Sequence, residues 1–306
     1  MSFAGPLLII AASLAAPAPQ KPRDPWIGVV VCCKSSGPET YRRLNNGTFE
    51  LFSVSMRYLD VRVVDEQGDF VAVQHDDTVF WIKKDSVLRP RDAINHYTEL
   101  IDKNPKDERS ISCRCWAYLA MNEFDRALKD AEEAVRLNPG SAAWRNNRGE
   151  AFIKRKEYDK AIAEFSSLLE EVPGYFYALF NRSEAYLRSR QFDKALKDVE
   201  QALVNEPKVP GLHMNLARIL ATAPDQKLRD GKKALESAKK AVEMIKYRDG
   251  RFLDTLAAAY AETGDFDKAI ETQQKAFDDP DFMRDDGEGA RKRLKLYREK
   301  KPFRDE

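Results

Sequence analysis

Histidine and cysteine are scarce: 306 residues include three histidines (His75, His96, His213) and four cysteines (Cys32, Cys33, Cys113, Cys115). That leaves little material for metal or nucleophile chemistry. No zinc-type Cys/His spacing, phosphate-binding glycine loop, GxSxG elbow or HExxH motif occurs. Neither an enzyme nor a cofactor or metal site is therefore expected. Net charge is also missing, with 51 Lys+Arg against 50 Asp+Glu, a formal +1. Nucleic-acid binding needs a clustered basic excess, so no nucleic-acid partner is expected. No apolar run approaches the roughly 20 residues of a membrane span, so no transmembrane span is expected either. What is abundant is charge of both signs, 33% of the residues, beside 43% hydrophobic ones. Such a profile suits narrow, solvent-bathed helices better than one thick globule.

Residues 1–18 read as a signal peptide. Leu7–Ala16 (LLIIAASLAA) is an apolar core of the right length, and Ala16 and Ala18 are small residues at the spacing a signal peptidase cleaves. Export to a periplasmic or secreted location is expected, with cleavage between Ala15 and Ala18; without the signal the protein is cytoplasmic. A Pro-rich linker over 19–25 follows.

Between residues 26 and 89 the pattern becomes strand-like. Five runs stand out (WIGVVVCC, TFELFSV, YLDVRVVDEQ, DFVAVQ, VFWIKKDSVL), and Leu59-Asp60-Val61-Arg62-Val63 alternates apolar and polar side chains. Gly37-Pro38, Gly47 and Gly68-Asp69 punctuate them as turns. A small β-barrel is the expected form, because closure removes sheet edges. VDEQGDFVAVQ followed by FWIKKDSV resembles the distal half of bacterial SH3-like barrels, where a strand pair precedes a Trp-bearing strand and a short helical turn. Trp26, Phe70 and Trp81 are expected in its core, the alternative being a peptide groove.

From residue 91 the chain repeats itself. Pro105, Pro139, Pro173 and Pro207 are spaced by 34, and Ala93, Ala127, Ala161 and Ala195 share that period. So do Tyr118, Phe152, Tyr186 and Leu220, the set Phe124, Tyr158 and Phe192, and the column Leu100, Ala134, Leu168 and Ala202. Physically this is a helix–turn–helix unit: small residues where helices cross, large ones between them, and a proline stopping the second helix. GEAFIKRKEYDKAIAEFSSLLEEVP (Gly149–Pro173) and SEAYLRSRQFDKALKDVEQALVNEP (Ser183–Pro207) resemble tetratricopeptide repeats in length and pattern. The resemblance implies a mainly α superhelical solenoid of helix–turn–helix repeats behind a small N-terminal all-β domain.

Its expected limits are 90–280, with a half repeat at 91–105 and repeats at about 108–141, 142–175, 176–209, 210–248 and 250–281. In the fourth, Pro224 stops the first helix and Asp230 caps a second helix that begins five residues late. LATxPDxxxRDGxxA there resembles a variant repeat towards the C-terminus of many bacterial tetratricopeptide proteins. Gly264 marks the turn of the fifth. Residues 282–306 are expected to form a polar capping helix (Gly289–Lys301) and tail, a nucleic-acid arm being the rival reading.

Cys113 and Cys115 lie two apart on a helix and point to different faces, as Cys32 and Cys33 do on a strand. Four cysteines allow three disulfide pairings, and spacing does not choose among them. Cys115 shares a small-residue column with Gly149 and Ser183, which makes it packing.

The resembled fold lines a concave groove with the first helices of its repeats. At one position of that helix stand Asn147, Asn181 and Asn215, again 34 apart. One turn on come Glu150, Glu184 and Arg218, then Lys154 and Arg188; Tyr177, Phe180 and Met214 add apolar surface. Two roles are open: the asparagines form an amide ladder for an extended peptide backbone, or asparagine and arginine here (WRNNRG, LFNRSE) make hydrogen bonds between neighbouring repeats. In the chaperone-tail version of this groove a lysine-rich clamp holds a carboxylate. Its first repeat carries Lys and Asn where this chain has Ser112 and Trp116. The expected function is a non-catalytic scaffold holding a peptide or protein segment in the groove. The alternative is an envelope adaptor whose SH3-like domain grips a cell-wall component.

Overall fold

The computed structural model describes residues 30–33, 40–43, 49–51, 61–75, 78–245 and 249–305. The expected signal peptide, the linker and Trp26 lie outside the described residues. Strands β1 (Val30–Cys33), β2 (Thr40–Arg43), β3 (Phe49–Leu51), β4 (Val61–Gln67), β5 (Phe70–His75), β6 (Thr78–Lys83) and β7 (Val87–Leu88) form one antiparallel sheet in the order β3-β2-β6-β5-β4-β1-β7. β4 and β5 form a hairpin around Gly68, whose φ of 54° suits a residue without Cβ, and the register slips between Val63 and Asp65. Trp81 on β6 is buried with Val71, Val73 and Ile82, so it serves the core. β2 was missed by pattern because TYRR carries three polar or charged residues among its four.

Helices α1 (Pro90–Lys103) to α12 (Pro280–Arg298) follow. α1 is the expected half repeat, packed between the sheet (β1, β7) and α2 (Glu108–Ala120). Full repeats pair α2 with α3 (Phe124–Leu137), α4 (Ala142–Lys154) with α5 (Tyr158–Glu171), and α6 (Phe176–Arg188) with α7 (Phe192–Asn205). α8 (Pro210–Thr222) pairs with α9 (Gly231–Met244) and α10 (Gly250–Glu262) with α11 (Phe266–Ala276). The alanine column sits at the crossings: Ala93, Ala127, Ala161 and Ala195 are all 0% exposed. Asp230 caps α9 by accepting from the Lys233 N–H at 2.9 Å.

Each tight turn between paired helices uses one left-handed residue: Asn122, Lys156 and Arg190 (φ 59°, 63°, 63°) after α2, α4 and α6, and Gly264 (φ 82°) after α10. Two backbone bonds close the turn, as in Glu157 N–H to Phe152 O and Lys156 N–H to Ile153 O, both 2.9 Å. Three side-chain-bearing residues thus accept a conformation that costs each roughly 1 kcal/mol. α8 is different: Ala223 (φ −55°, ψ 136°) and Pro224 lead into a short 3-10 turn at Gln226–Leu228 instead.

α12 is longer than the expected cap. Asp279 caps it, Pro280 opens it, and Asp286 (φ −142°, ψ 23°) kinks it. Cys113 and Cys115 are both buried thiols, and burial pushes the Cys115 thiol well above its ordinary pKa. Among the described residues no helix is long and apolar enough to cross a membrane.

Candidate peptide-binding face

The first helices of successive repeats touch one another: α2 meets α4, α4 meets α6, α6 meets α8 and α8 meets α10. That lines the first helices up along one side of the array. The side chains they leave free of their own pair are therefore the candidates for contact with another molecule.

The asparagine column joins repeats. Asn147 donates to Ser112 Oγ (2.9 Å), Asn181 to Asn146 Oδ1 (3.1 Å) and Asn215 to Ser183 Oγ (3.4 Å), each on the preceding first helix. Asn147 and Asn181 keep part of their surface in solvent, whereas Asn215 is only 2% exposed, so its amide serves the neighbouring helix.

The charged candidates lie together. Burial pushes the Glu150 carboxyl up, with Lys154 opposing it. Burial acts on Glu184 in the same sense, yet Arg188, Arg218 and Lys154 outweigh it and hold that carboxyl below its usual range. Arg188 donates to Glu184 at 2.7 Å and is held more firmly protonated by it. Lys154 and Arg188 are exposed. Arg218 donates to Asp305 at 2.7 Å, a contact with the segment after α12 that the sequence did not announce. At the N-terminal end of α6, about three turns before Arg188, Tyr177 is 38% exposed with its ring 5.0 Å from that of Phe176, and Phe180 and Met214 are half-buried. The result is a face with both cations and aromatic area, suited to an extended acidic segment.

A family model described as tetratricopeptide repeat matches residues 115–176 and 180–228, and another of the same description matches 251–278. The helical array is a tetratricopeptide-repeat solenoid. Over 107 residues the chain is 33% identical to Hsp70-Hsp90 organizing protein 2 of Arabidopsis thaliana. That match covers 33% of this chain and 16% of that protein. A tetratricopeptide-repeat protein of Thermus thermophilus is 21% identical with a TM-score of 0.52, over 62% of this chain and 98% of the other. The structure of the APC/C hetero-tetramer Cut9-Hcn1 aligns with a TM-score of 0.60 at 14% identity, over 68% of this chain and 39% of the other. At these identities the two structures speak for the fold. Tetratricopeptide proteins mediate protein–protein interactions.

The arginines of WRNNRG and LFNRSE take the bridging role, through carboxylate partners that the sequence reading of the tetratricopeptide array did not name. Arg114, Arg148 and Arg182 recur at 34 residues, and each reaches a carboxylate 16 positions on: Asp130, Glu164 and Asp198. Arg114 and Arg182 grip theirs with two bonds of 2.7 to 2.8 Å. Their third bond, to Thr98 (3.1 Å) or Ser166 (3.0 Å), ties in the second helix of the preceding unit. Arg145 adds Glu164, Ser167 and Glu171. The signal that could have found the partners is the carboxylate that stands 16 residues after each arginine, but acidic charge on a helix reads as a solvated face. At the clamp positions Ser112 is 1% exposed and accepts from Asn147, so no lysine or open amide stands there.

Proposed function

We propose that the protein is a non-catalytic scaffold that holds a peptide or protein segment on the inner face of its repeats, centred on α4, α6 and α8. The observation that carries this is the cluster of Lys154, Arg188 and Arg218 around Glu184, with the exposed Tyr177 at the opposite end of α6, on the side where first helices meet. A segment offering carboxylates and an apolar side chain finds both partners there. The kinship with the Hsp70-Hsp90 organizing protein supports an adaptor role, while Ser112 and Trp116 argue against borrowing its clamp. The Leu7–Ala16 core supports the further proposal that this scaffold works outside the cytoplasm.

Purifying the tagged protein from its own cells tests both proposals. Wild-type and Lys197→Ala protein, altered on exposed surface of α7, should bring down the same partners. Tyr177→Ala/Arg188→Glu should lose them at unchanged helix content. Partners that survive the double substitution would refute the inner-face role, and survival together with co-sedimentation on isolated cell wall would favour the sheet domain instead. The first residue of the recovered protein should be one of Ala16 to Pro19. Finding Met1 or Ser2 there would refute export.

A further inference from the structure

α12 does not end the chain's interactions. It closes with the same turn that follows α2, α4, α6 and α10: Lys300 is left-handed (φ 56°), and the Lys301 N–H donates to Leu296 O at 2.9 Å. The chain then runs without regular structure over Lys301–Asp305, laid against α8 and α10. Phe303 packs beside Ala257, Ala261 and Tyr297, with the Arg293 guanidinium 5.5 Å from its ring centre. Arg304 donates to Ala221 O (3.3 Å) and pairs with Glu262 (2.6 Å). The Asp305 N–H donates to Thr222 O (2.9 Å), and the Asp305 carboxylate accepts from Arg218 (2.7 Å).

The receptor side of these contacts explains why they fall there. The last carbonyls of a helix lack intrahelical partners. After α2, α4, α6 and α10 a left-handed turn follows at once, but α8 ends in extended backbone before Pro224. Its Ala221 and Thr222 carbonyls are left for another donor, one turn beyond Arg218. An extended chain that supplies a main-chain N–H to Thr222 thereby brings its side chain to Arg218.

We propose that Lys301–Asp305 occupies in cis a peptide site whose ligand in trans is a short extended segment with an aromatic ring and, two residues later, a carboxylate. The site deepens the inner-face reading by naming the chemistry of the segment held there. It also makes that face self-occupied at its α8–α10 end. The seat is small: Arg218 and Asp305 keep 31% and 21% of their side chains exposed. Tethering supplies an effective concentration in the millimolar range, so a weak seat stays filled until a competing segment also engages Arg188 and Tyr177.

The test uses the full chain and a fluorescein-labelled peptide of sequence KPFRDE. Phe303→Ala/Asp305→Lys should release the tail, and Asp305→Lys alone is the milder release should the double variant misfold. The released protein should bind the peptide at least about tenfold tighter than the wild type does. Adding Arg218→Ala should cost about tenfold of that affinity, the value of one charge-assisted hydrogen bond. In the wild type the Asp305 amide should be protected from hydrogen exchange, and Arg218→Ala should remove the protection. Equal binding to wild-type and released protein, no binding to either, indifference to Arg218→Ala, or an unprotected Asp305 amide would each overturn the tail site. The inner-face reading, which is judged at Tyr177 and Arg188, would survive any of these.

Discussion

Replacing Asp198 by leucine is expected to destabilise the array by about 3 kcal/mol. Asp198 is 5% exposed and accepts two bonds from Arg182, at 2.7 and 2.8 Å. Without it a largely desolvated guanidinium keeps one neutral hydrogen bond, to Ser166 at 3.0 Å, and the face of the Tyr186 ring at 5.7 Å. The estimate takes the lower end of the range for breaking a buried pair, because Arg182 retains 18% of its side-chain surface and can turn partly to water. Arg182→Leu/Asp198→Leu should recover most of the loss, since no buried charge is then left alone. Glu133→Leu, which breaks an exposed pair with Arg136, should leave the denaturation midpoint where it was. Equal midpoints for Asp198→Leu and Glu133→Leu in a urea titration would show that the buried arginine–carboxylate pairs are not structural.

Gly149→Leu is expected to cost a similar amount by a different route. A Cβ built on Gly149 would overlap the ring of Phe165, which is 0% exposed and has nowhere to retreat. Overpacking of this kind costs about 1–3 kcal/mol and pushes α4 and α5 apart. Gly140→Leu is the matched control: its Cβ would meet nothing nearer than Asn138 Oδ1 at 3.9 Å, so its effect should stay within roughly 0.5 kcal/mol. Phe165→Leu should soften the Gly149 effect and leave that of Gly140→Leu untouched. A Gly149→Leu protein as stable as Gly140→Leu would mean that the two helices do not cross at this point.

The 34-residue columns made the array legible because close packing admits few residues. Only a small side chain fits where Ala161 and Ala195 lie, and a proline follows the second helix at Pro105, Pro139, Pro173 and Pro207. The Arg114–Asp130 type of pair obeys the same period, but its residues are also the commonest on any wet helix surface. Type alone could not separate them from decoration; the matched spacing of both partners could. The left-handed positions show a different limit. Gly264 declares itself and Asn122 is of a type that tolerates this conformation, whereas Lys156 and Arg190 adopt it with no local cue, held there by the helices on either side. On the candidate face, the column of Asn147, Asn181 and Asn215 was found by period, yet its hydrogen bonds depend on what the preceding helix offers. The seat of Lys301–Asp305 joins residues 87 positions apart, Arg218 and Asp305, and no periodicity connects them. In the sheet, alternation found β4 and overlooked β2, whose polar sequence owes its pairing to β6 and β3.

Site-resolved photo-crosslinking in the native cells tests the central claim most directly. A photoreactive side chain is placed at Tyr177 on the inner face, at Met214 one repeat further on, and at Lys197 on exposed surface of α7. Crosslinks from Tyr177 and Met214 to the same short stretch of one partner, with none from Lys197, are the predicted result. A partner captured from Lys197 while Tyr177 and Met214 stay silent would contradict the inner face as the working surface of this array.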